Sequence, residues 1–446
     1  MSEKFISGVI EGFYGQPWSR AERFELFDWM EISHLNAYLY APKDDLKLRA
    51  RWREPYTADE LGALRELINA ARVSGVDFIY GLSPGLDITY SLEADLDRIK
   101  MRFEQLLNVG ATGFALLLDD IPDAMRAEDK ARFEHFASAH AYAANEVLKW
   151  LKNRTADARV FFCPTPYCGR MAARQLGGQN YLSILGRELH PEIGVFWTGP
   201  EIISEEITVA HIREISAQLR RKPIIWDNLH ANDYDARRFY VGPYAGRPRE
   251  LLAEVSGILT NPNCEFHLNY LPVFTLADFV NGKGPWQPRE SFLANLPFWL
   301  KHFDSRENFL NQDELLVLCD CFYLPHQDGP EAESLFQSLR HLIDRPRDSA
   351  AFPALIQRAR RLREFCIRLA EIENRPLFHA LSRRIWDLRE ELDLLEKFIA
   401  FHSDPINIDK RFHSDFHLPK THRGGFVARV QKLLIQNPDG SFIRMP

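Results

Sequence analysis

Cysteine is scarce: the chain of 446 residues carries six, Cys163, Cys168, Cys264, Cys319, Cys321 and Cys366. So sparse a set excludes a small scaffold stapled by disulfides and suits free thiols in a reducing compartment. Cys319-Asp320-Cys321 has no second pair at zinc-site spacing, and no HxH or HExxH cluster occurs. No metal and no other cofactor is therefore expected, and a metal-dependent hydrolase built on Asp119, Asp120 and Asp233 lacks its usual ligands. Long apolar runs are missing too. No stretch approaches ~20 uninterrupted apolar residues, and the opening MSEKFISGVIEGFYG has no apolar core of signal-peptide length. The expectation is a soluble, cytoplasmic protein with no membrane partner. Neither sign of charge dominates: 55 Lys and Arg against 62 Asp and Glu, interspersed, leave a net charge of -7, which excludes a general nucleic-acid binder. The first turn, Gly12-Phe-Tyr-Gly15, does not match GxGxxG, so a dinucleotide-binding doubly wound sheet is disfavoured.

What is present is a repeated strand–helix pattern. Short apolar runs stand at Ser7–Gly12, Ala37–Lys43, Phe78–Ser83, Phe114–Asp120, Val160–Thr165, Val195–Gly199, Pro223–Asn228 and Ile258–Asn261. Most are continuous rather than alternating, as in strands buried on both faces. Helical stretches lie between them, among them Arg20–Ser33, Ala58–Val73, Glu93–Asn108 and Glu128–Leu151. Leu61, Leu64, Leu67 and Ile68 share one face of the second. Eight such repeats predict an α/β fold, a (β/α)8 barrel over residues 1–285. After the Gly/Pro-rich segment 282–288 helical periodicity takes over, giving a helical domain over 286–403. There Leu381, Ile385, Leu388, Leu392, Leu395 and Ile399 form a heptad-like seam, read as an intramolecular bundle or as a homodimer contact. Residues 404–446 form a polar tail with a short amphipathic piece, Phe426–Ile435, and a turn at Pro438-Asp439-Gly440.

The strand ends carry the chemistry. In a barrel they converge on the C-terminal face, where active sites are built. Phe114 to Leu118 run straight into Asp119 and Asp120. The bland reading is a strand end followed by a helix-capping aspartate. The chemical reading is a carboxylate pair in which one member is driven to keep its proton while the other stays ionised. Glycoside cleavage needs such an acid, and a group to stabilise positive charge at the sugar carbon. Successive strand side chains point to opposite faces, so both can serve one substrate only if the chain bends at the second. Trp226-Asp-Asn228-Leu-His-Ala-Asn-Asp233-Tyr234 is dense in hydrogen-bonding groups, with Asp227 and His230 read as loop supports rather than catalysts. Lys43 reads equally as a hydroxyl ligand or as a solvated lysine, and Thr165-Pro-Tyr167 and Asn261-Pro-Asn263 read equally as proline turns. Phe13, Tyr14, Tyr167, Trp197, Trp226 and Tyr234 add aromatic rings beside these groups. That mixture suits a sugar, with its apolar C–H faces and hydroxyl edges.

The segments Gly8-Val-Ile-Glu-Gly12-Phe-Tyr-Gly-Gln-Pro-Trp18, Tyr38-Leu-Tyr-Ala-Pro-Lys43-Asp-Asp45, Ser83-Pro-Gly-Leu-Asp-Ile-Thr89, Leu116-Leu-Leu-Asp119-Asp120-Ile, Phe162-Cys-Pro-Thr-Pro-Tyr167-Cys-Gly169, Trp197-Thr-Gly-Pro200, Trp226 to Tyr234, and Leu259-Thr-Asn261-Pro-Asn-Cys264 together resemble glycoside hydrolase family 84, the O-GlcNAcases and related β-N-acetylglucosaminidases. The resemblance runs over residues 5–280 with the motifs in the family's order. It implies a GlcNAc-bearing glycoprotein or other glycoconjugate as substrate, and retaining, substrate-assisted hydrolysis through an oxazoline. Asp119 would orient the acetamide, and Asp120 would be general acid and then base. Tyr167 would bond near the acetamide carbonyl, and Trp226 and Asn228 would line the acetamide pocket. Gly12, Lys43, Asp233 and Asn261 would hold sugar hydroxyls. The rival expectation is a catalytically weak protein that binds GlcNAc conjugates.

Overall fold

A computed structural model describes residues 4–304, 310–414 and 422–445. Part of the polar tail, residues 415–421, lies outside the described residues. Eight parallel strands close into one barrel: β1 (Ile6–Glu11), β2 (Ala37–Tyr40), β3 (Asp77–Leu82), β4 (Gly113–Leu117), β5 (Arg159–Cys163), β6 (Gly194–Trp197), β7 (Ile224–Asp227) and β8 (Gly257–Thr260). Each pairs with its sequence neighbour, and β8 returns to β1 with Ile6 opposite Gly257 and Val9 opposite Thr260. The continuous apolar runs have this cause: β4 is buried at every position, between the barrel interior and the surrounding helices. Ile10, Leu39, Ile79, Ala115, Leu117, Phe161, Phe196, Ile224 and Leu259 form one core cluster.

The helices follow local signals. Ser19 and Thr57 cap the helices Arg20–Ser33 and Ala58–Val73, each in a reciprocal capping box with the glutamate three residues on. The second buries Leu64, Leu67, Ile68 and Ala71, and Leu61 is half-buried at its margin. The stretch Glu128–Leu151, expected as one helix, is two: Ala127–Arg132 and Phe136–Lys152. Phe133 leaves the helical path with φ -119° and ψ 131°, and its ring packs on Tyr142 at 5.4 Å. An aromatic contact has overridden helical periodicity there.

The chain divides into two compact units. One comprises Met1–Asp233, Tyr244–Cys264 and Val273–Pro288, and holds the barrel. The other comprises Tyr234–Pro243, Glu265–Pro272 and Arg289–Pro446. The second unit is mainly helical, with long helices at Gln312–Cys321, Pro330–Asp344, Pro353–Arg368 and Arg375–Ser403. The heptad-like seam on the last of these is spent inside that unit. Leu381, Ile385, Leu388, Leu392, Leu395 and Ile399 are all buried, with Pro353–Arg368 packed alongside. The tail adds a small sheet that periodicity did not reveal: β9 (Phe412–His413), β10 (Leu434–Gln436) and β11 (Ser441–Arg444), in the antiparallel order β10-β11-β9. Among the described residues no helix is long and apolar enough to cross a membrane, and no cluster of His, Cys, Asp and Glu could hold a metal ion.

Candidate active site

The barrel strands stop just short of the polar residues that follow them. β4 ends at Leu117 and β2 at Tyr40, so Asp119, Asp120 and Lys43 lie on the loops beyond. Two contacts fix the approach to the aspartates: Leu118 N–H donates to the Cys163 carbonyl at 3.0 Å, and Thr165 Oγ1 donates to the Leu118 carbonyl at 2.9 Å. The chain then turns sharply, because Asp120 has φ +48°. Aspartate is one of the few residues with a Cβ that adopts that conformation with little penalty. This is the bend that sequence alone left open.

Asp119 is buried and paired: Lys43 Nζ donates to its Oδ2 at 2.5 Å, with the two side chains 8% and 3% exposed. Burial works against the charge on Asp119, but the charge and hydrogen bond of Lys43, helped by Arg49, outweigh it and hold the carboxyl below the usual carboxylate range. Its other oxygen, Oδ1, is buried with no hydrogen-bond partner among the described residues. Lys43 Nζ also lies 5.8 Å from the ring centres of Tyr14 and of Trp226. Lys43 is therefore an ion-pair partner of Asp119, not a solvated lysine.

Asp120 accepts from two phenols: Tyr167 on Oδ1 at 2.9 Å and Tyr14 on Oδ2 at 3.0 Å. Burial, then the charge of Asp120, pushes both phenols above their ordinary value and keeps them as donors. Arg49 Nη2 donates to the Asp120 carbonyl at 2.8 Å. Asp233 joins this group indirectly, accepting from Tyr14 N–H on Oδ2 at 2.9 Å.

A third group lies at the ends of β7, β8 and β1. Asn228 Oδ1 accepts from Trp226 Nε1 at 3.1 Å and from Asn261 Nδ2 at 2.9 Å, and Asn228 Nδ2 donates to the Ile202 carbonyl at 2.8 Å. Asn261 Oδ1 is buried with no partner among the described residues. The Trp226 ring meets Phe196 edge-on at 5.6 Å and leaves no space beside Gly12, where a Cβ would fall 2.6 Å from Cζ2. A side chain at position 12 would displace the indole.

Nine candidate residues thus fall on the C-terminal rim of the barrel, in three groups: Lys43 with Asp119; Tyr167 and Asp233 around Asp120; and Trp226, Asn228 and Asn261, with Gly12 against the indole. Sequence reading left Tyr14 as an aromatic neighbour and did not mark Arg49. Both signals lay inside quoted or adjoining stretches, 12–15 and 43–49, but nothing local says which strand end they reach. Asp227, read as a support, is one. Arg247 Nη2 and Leu229 N–H donate to its Oδ1 at 2.7 and 3.1 Å. Arg247 Nε and Tyr244 OH donate to Oδ2 at 2.8 and 2.7 Å. The neighbouring Cys163 is kept as a thiol by burial and by the charge of Asp119.

Known proteins resemble this chain in sequence and fold. A family profile described as beta-N-acetylglucosaminidase matches residues 7–310. Rat Protein O-GlcNAcase is 47% identical over 277 residues, 62% of this chain and 30% of that protein. The chain thus spans about a third of the length of the curated relatives it matches. The structure of an O-GlcNAc hydrolase mutant from Thermobaculum terrenum is 30% identical with a TM-score of 0.69, covering 89% of this chain and 82% of the other. The structure of CpGH84B is 25% identical with a TM-score of 0.75, covering 91% and 70%. By profile, sequence and fold, the chain belongs to the beta-N-acetylglucosaminidase family, glycoside hydrolase family 84.

Proposed function

We propose that the protein is a retaining β-N-acetylglucosaminidase that removes GlcNAc from a glycoprotein or other glycoconjugate by substrate-assisted catalysis. The substrate class follows the relatives named Protein O-GlcNAcase. The observation that carries the mechanism is the asymmetry of Asp119: an ionised carboxylate with Lys43 on one oxygen and the other buried and unpartnered among the described residues. An acetamide N–H supplies the missing donor.

The steps follow from that placement. Asp120 gives a proton to the glycosidic oxygen as the bond to the anomeric carbon breaks. The acetamide carbonyl oxygen attacks the same carbon from the opposite face, closing an oxazoline ring. Asp119 accepts the acetamide N–H and opposes the positive charge that spreads over the ring, which is electrostatic stabilisation by a charge fixed in place beforehand. Asp120, now a carboxylate, takes a proton from water as the water attacks the anomeric carbon and reopens the ring. Two displacements leave the configuration unchanged. The indole of Trp226 and the amide of Asn228 are suited to the acetamide methyl and carbonyl, and Gly12, Asp233 and Asn261 to the sugar hydroxyls. Lys43 keeps Asp119 charged. No cofactor enters any step. The six free thiols, five of them buried, fit a cytoplasmic setting.

The acyl group is the nucleophile, so it is the place to test the mechanism. Successive fluorination of the acetyl methyl weakens the carbonyl oxygen as a nucleophile. With aryl glycosides, kcat/KM should fall about tenfold or more per fluorine, roughly 1.4 kcal/mol of barrier each. A flat response, or a glycosyl-aspartate trapped in the protein and found by mass spectrometry, replaces this reading with a protein nucleophile.

A further inference from the structure

Asp120 is held from several directions, and one holder has no part in the scheme above. Its backbone sits at φ +48°, in the left-handed region that residues with a Cβ adopt sparingly. Arg49 Nη2 takes the carbonyl of that residue at 2.8 Å. The same guanidinium lies 5.6 Å from the ring centre of Tyr14, whose hydroxyl holds Asp120 Oδ2 at 3.0 Å. Arg49 therefore touches both the main chain of Asp120 and the phenol that fixes its side chain. The loop carrying Arg49 is braced in turn. Leu48 gives its carbonyl to Ser83 N–H at 2.9 Å, and Lys47 gives its carbonyl to Arg102 Nη1 at 2.6 Å.

We propose that Arg49 is a positioning residue for proton transfer: it locks the turn at Asp120 and braces Tyr14, so that the carboxyl meets the leaving oxygen in one orientation. The proposal rests on Asp120 being the general acid and base. The guanidinium suits the task, because its edge can donate to a carbonyl while its face packs on a phenol ring; an ammonium keeps the charge and a donor but not the flat face. Tyr14 is 47% exposed and Tyr167 only 8%. Tyr14 is therefore the phenol that yields Oδ2 to an arriving leaving group, and its return sets the carboxyl again.

The test is leaving-group dependence, which a loss of folding or of sugar binding would not change. Arg49→Met, Arg49→Lys and Asp120→Asn are compared with the parent on GlcNAc glycosides from dinitrophenyl, which needs little protonation, through methylumbelliferyl to an alkyl aglycone. For Arg49→Met, kcat should fall about 30-fold or more on the alkyl glycoside and about twofold on the dinitrophenyl one, with KM within about twofold. Arg49→Lys should show the same steepening at about a fifth of the size or more, and it carries the test if Arg49→Met does not fold. Equal losses along the series, no loss, or full recovery in Arg49→Lys each overturn the proposal. A flat series in Asp120→Asn removes Asp120 as the acid and the mechanism with it. A steep Asp120→Asn beside a flat Arg49→Met removes only the role of Arg49.

Discussion

Asp119 and Asp227 are both buried carboxylates at strand ends of one barrel, each beside a cation, yet they are finished differently. Asp227 is saturated: Arg247 bridges both oxygens, and Leu229 N–H and Tyr244 OH add a further donor to each. With side chains 0% and 1% exposed, that pair is sealed in the protein. Asp119 has a point-like ammonium on one oxygen and no hydrogen-bond partner among the described residues on the other. A buried acceptor left open costs about 1–3 kcal/mol, and a fold bears that cost where a ligand will supply the donor. A saturated buried carboxylate is therefore architecture, and an unsaturated one in the same barrel is a place for chemistry. The choice of cation follows. Arginine can satisfy a carboxylate through two parallel bonds, whereas lysine neutralises it through one and leaves the second oxygen free.

The sharpest way to break this comparison is to neutralise the open member. Asp119→Asn keeps an acceptor for Lys43 but removes the charge that opposes the oxazolinium. Its kcat per folded molecule should fall roughly 10²–10³-fold, a loss separate from the stability given up by leaving the buried Lys43 without its counter-charge. A large fall in stability with activity per folded molecule preserved would make Asp119 a structural residue like its counterpart.

The saturated member should respond the other way. Arg247→Met leaves Asp227 buried without its cation, and unfolding stability should drop by about 3–5 kcal/mol. Denaturant unfolding of the purified variant measures this directly, and kinetics below the transition should give a KM close to the parent. A drop under about 1 kcal/mol, with kcat lost instead, would place Arg247 and Asp227 in the reaction.

Much of this was legible in the chain. The barrel showed as apolar runs at regular spacing, and the aspartate pair as an apolar run that ends in two carboxylates. What the chain could not reveal was the turn at Asp120, since strand alternation alone would send its side chain away from that of Asp119. Nor could it pair Arg49 with a carbonyl 71 residues away, because no local pattern encodes a contact between two loops. The break at Phe133 was hidden because the helical period continues on both sides of it. The tail sheet was hidden because its strands, from Phe412–His413 to Ser441–Arg444, are too short to show alternation.

A third buried carboxylate, in the helical unit, extends the comparison to a group with no arginine or lysine paired to it among the described residues. Glu391 lies on the helix Arg375–Ser403, 4% exposed, and accepts from Gln431 Nε2 at 2.9 Å. Around it stand His422, whose Nε2 is 3.1 Å from Asp387 Oδ2, and Asp387, paired with Arg237 at 3.1 Å. Burial raises Glu391 to about 7, against the lowering pull of Gln431 and His422. Unfolded, a glutamate releases its proton near ~4.3. Between those two values the folded unit holds a proton that the unfolded chain has lost, so stability falls as pH rises through this window and levels off above it. The expected change from pH 5 to pH 8 is on the order of 2–3 kcal/mol from this group. Hydrogen exchange of the Arg375–Ser403 helix, at several pH values and corrected for intrinsic rates, should show protection declining toward pH 8. In Glu391→Gln that slope should flatten, and because both proteins share every other titrating group, the difference isolates this one. Parallel slopes in the two proteins would mean that Glu391 is ionised throughout, held as firmly as Asp227 by donors that suffice without a bidentate arginine.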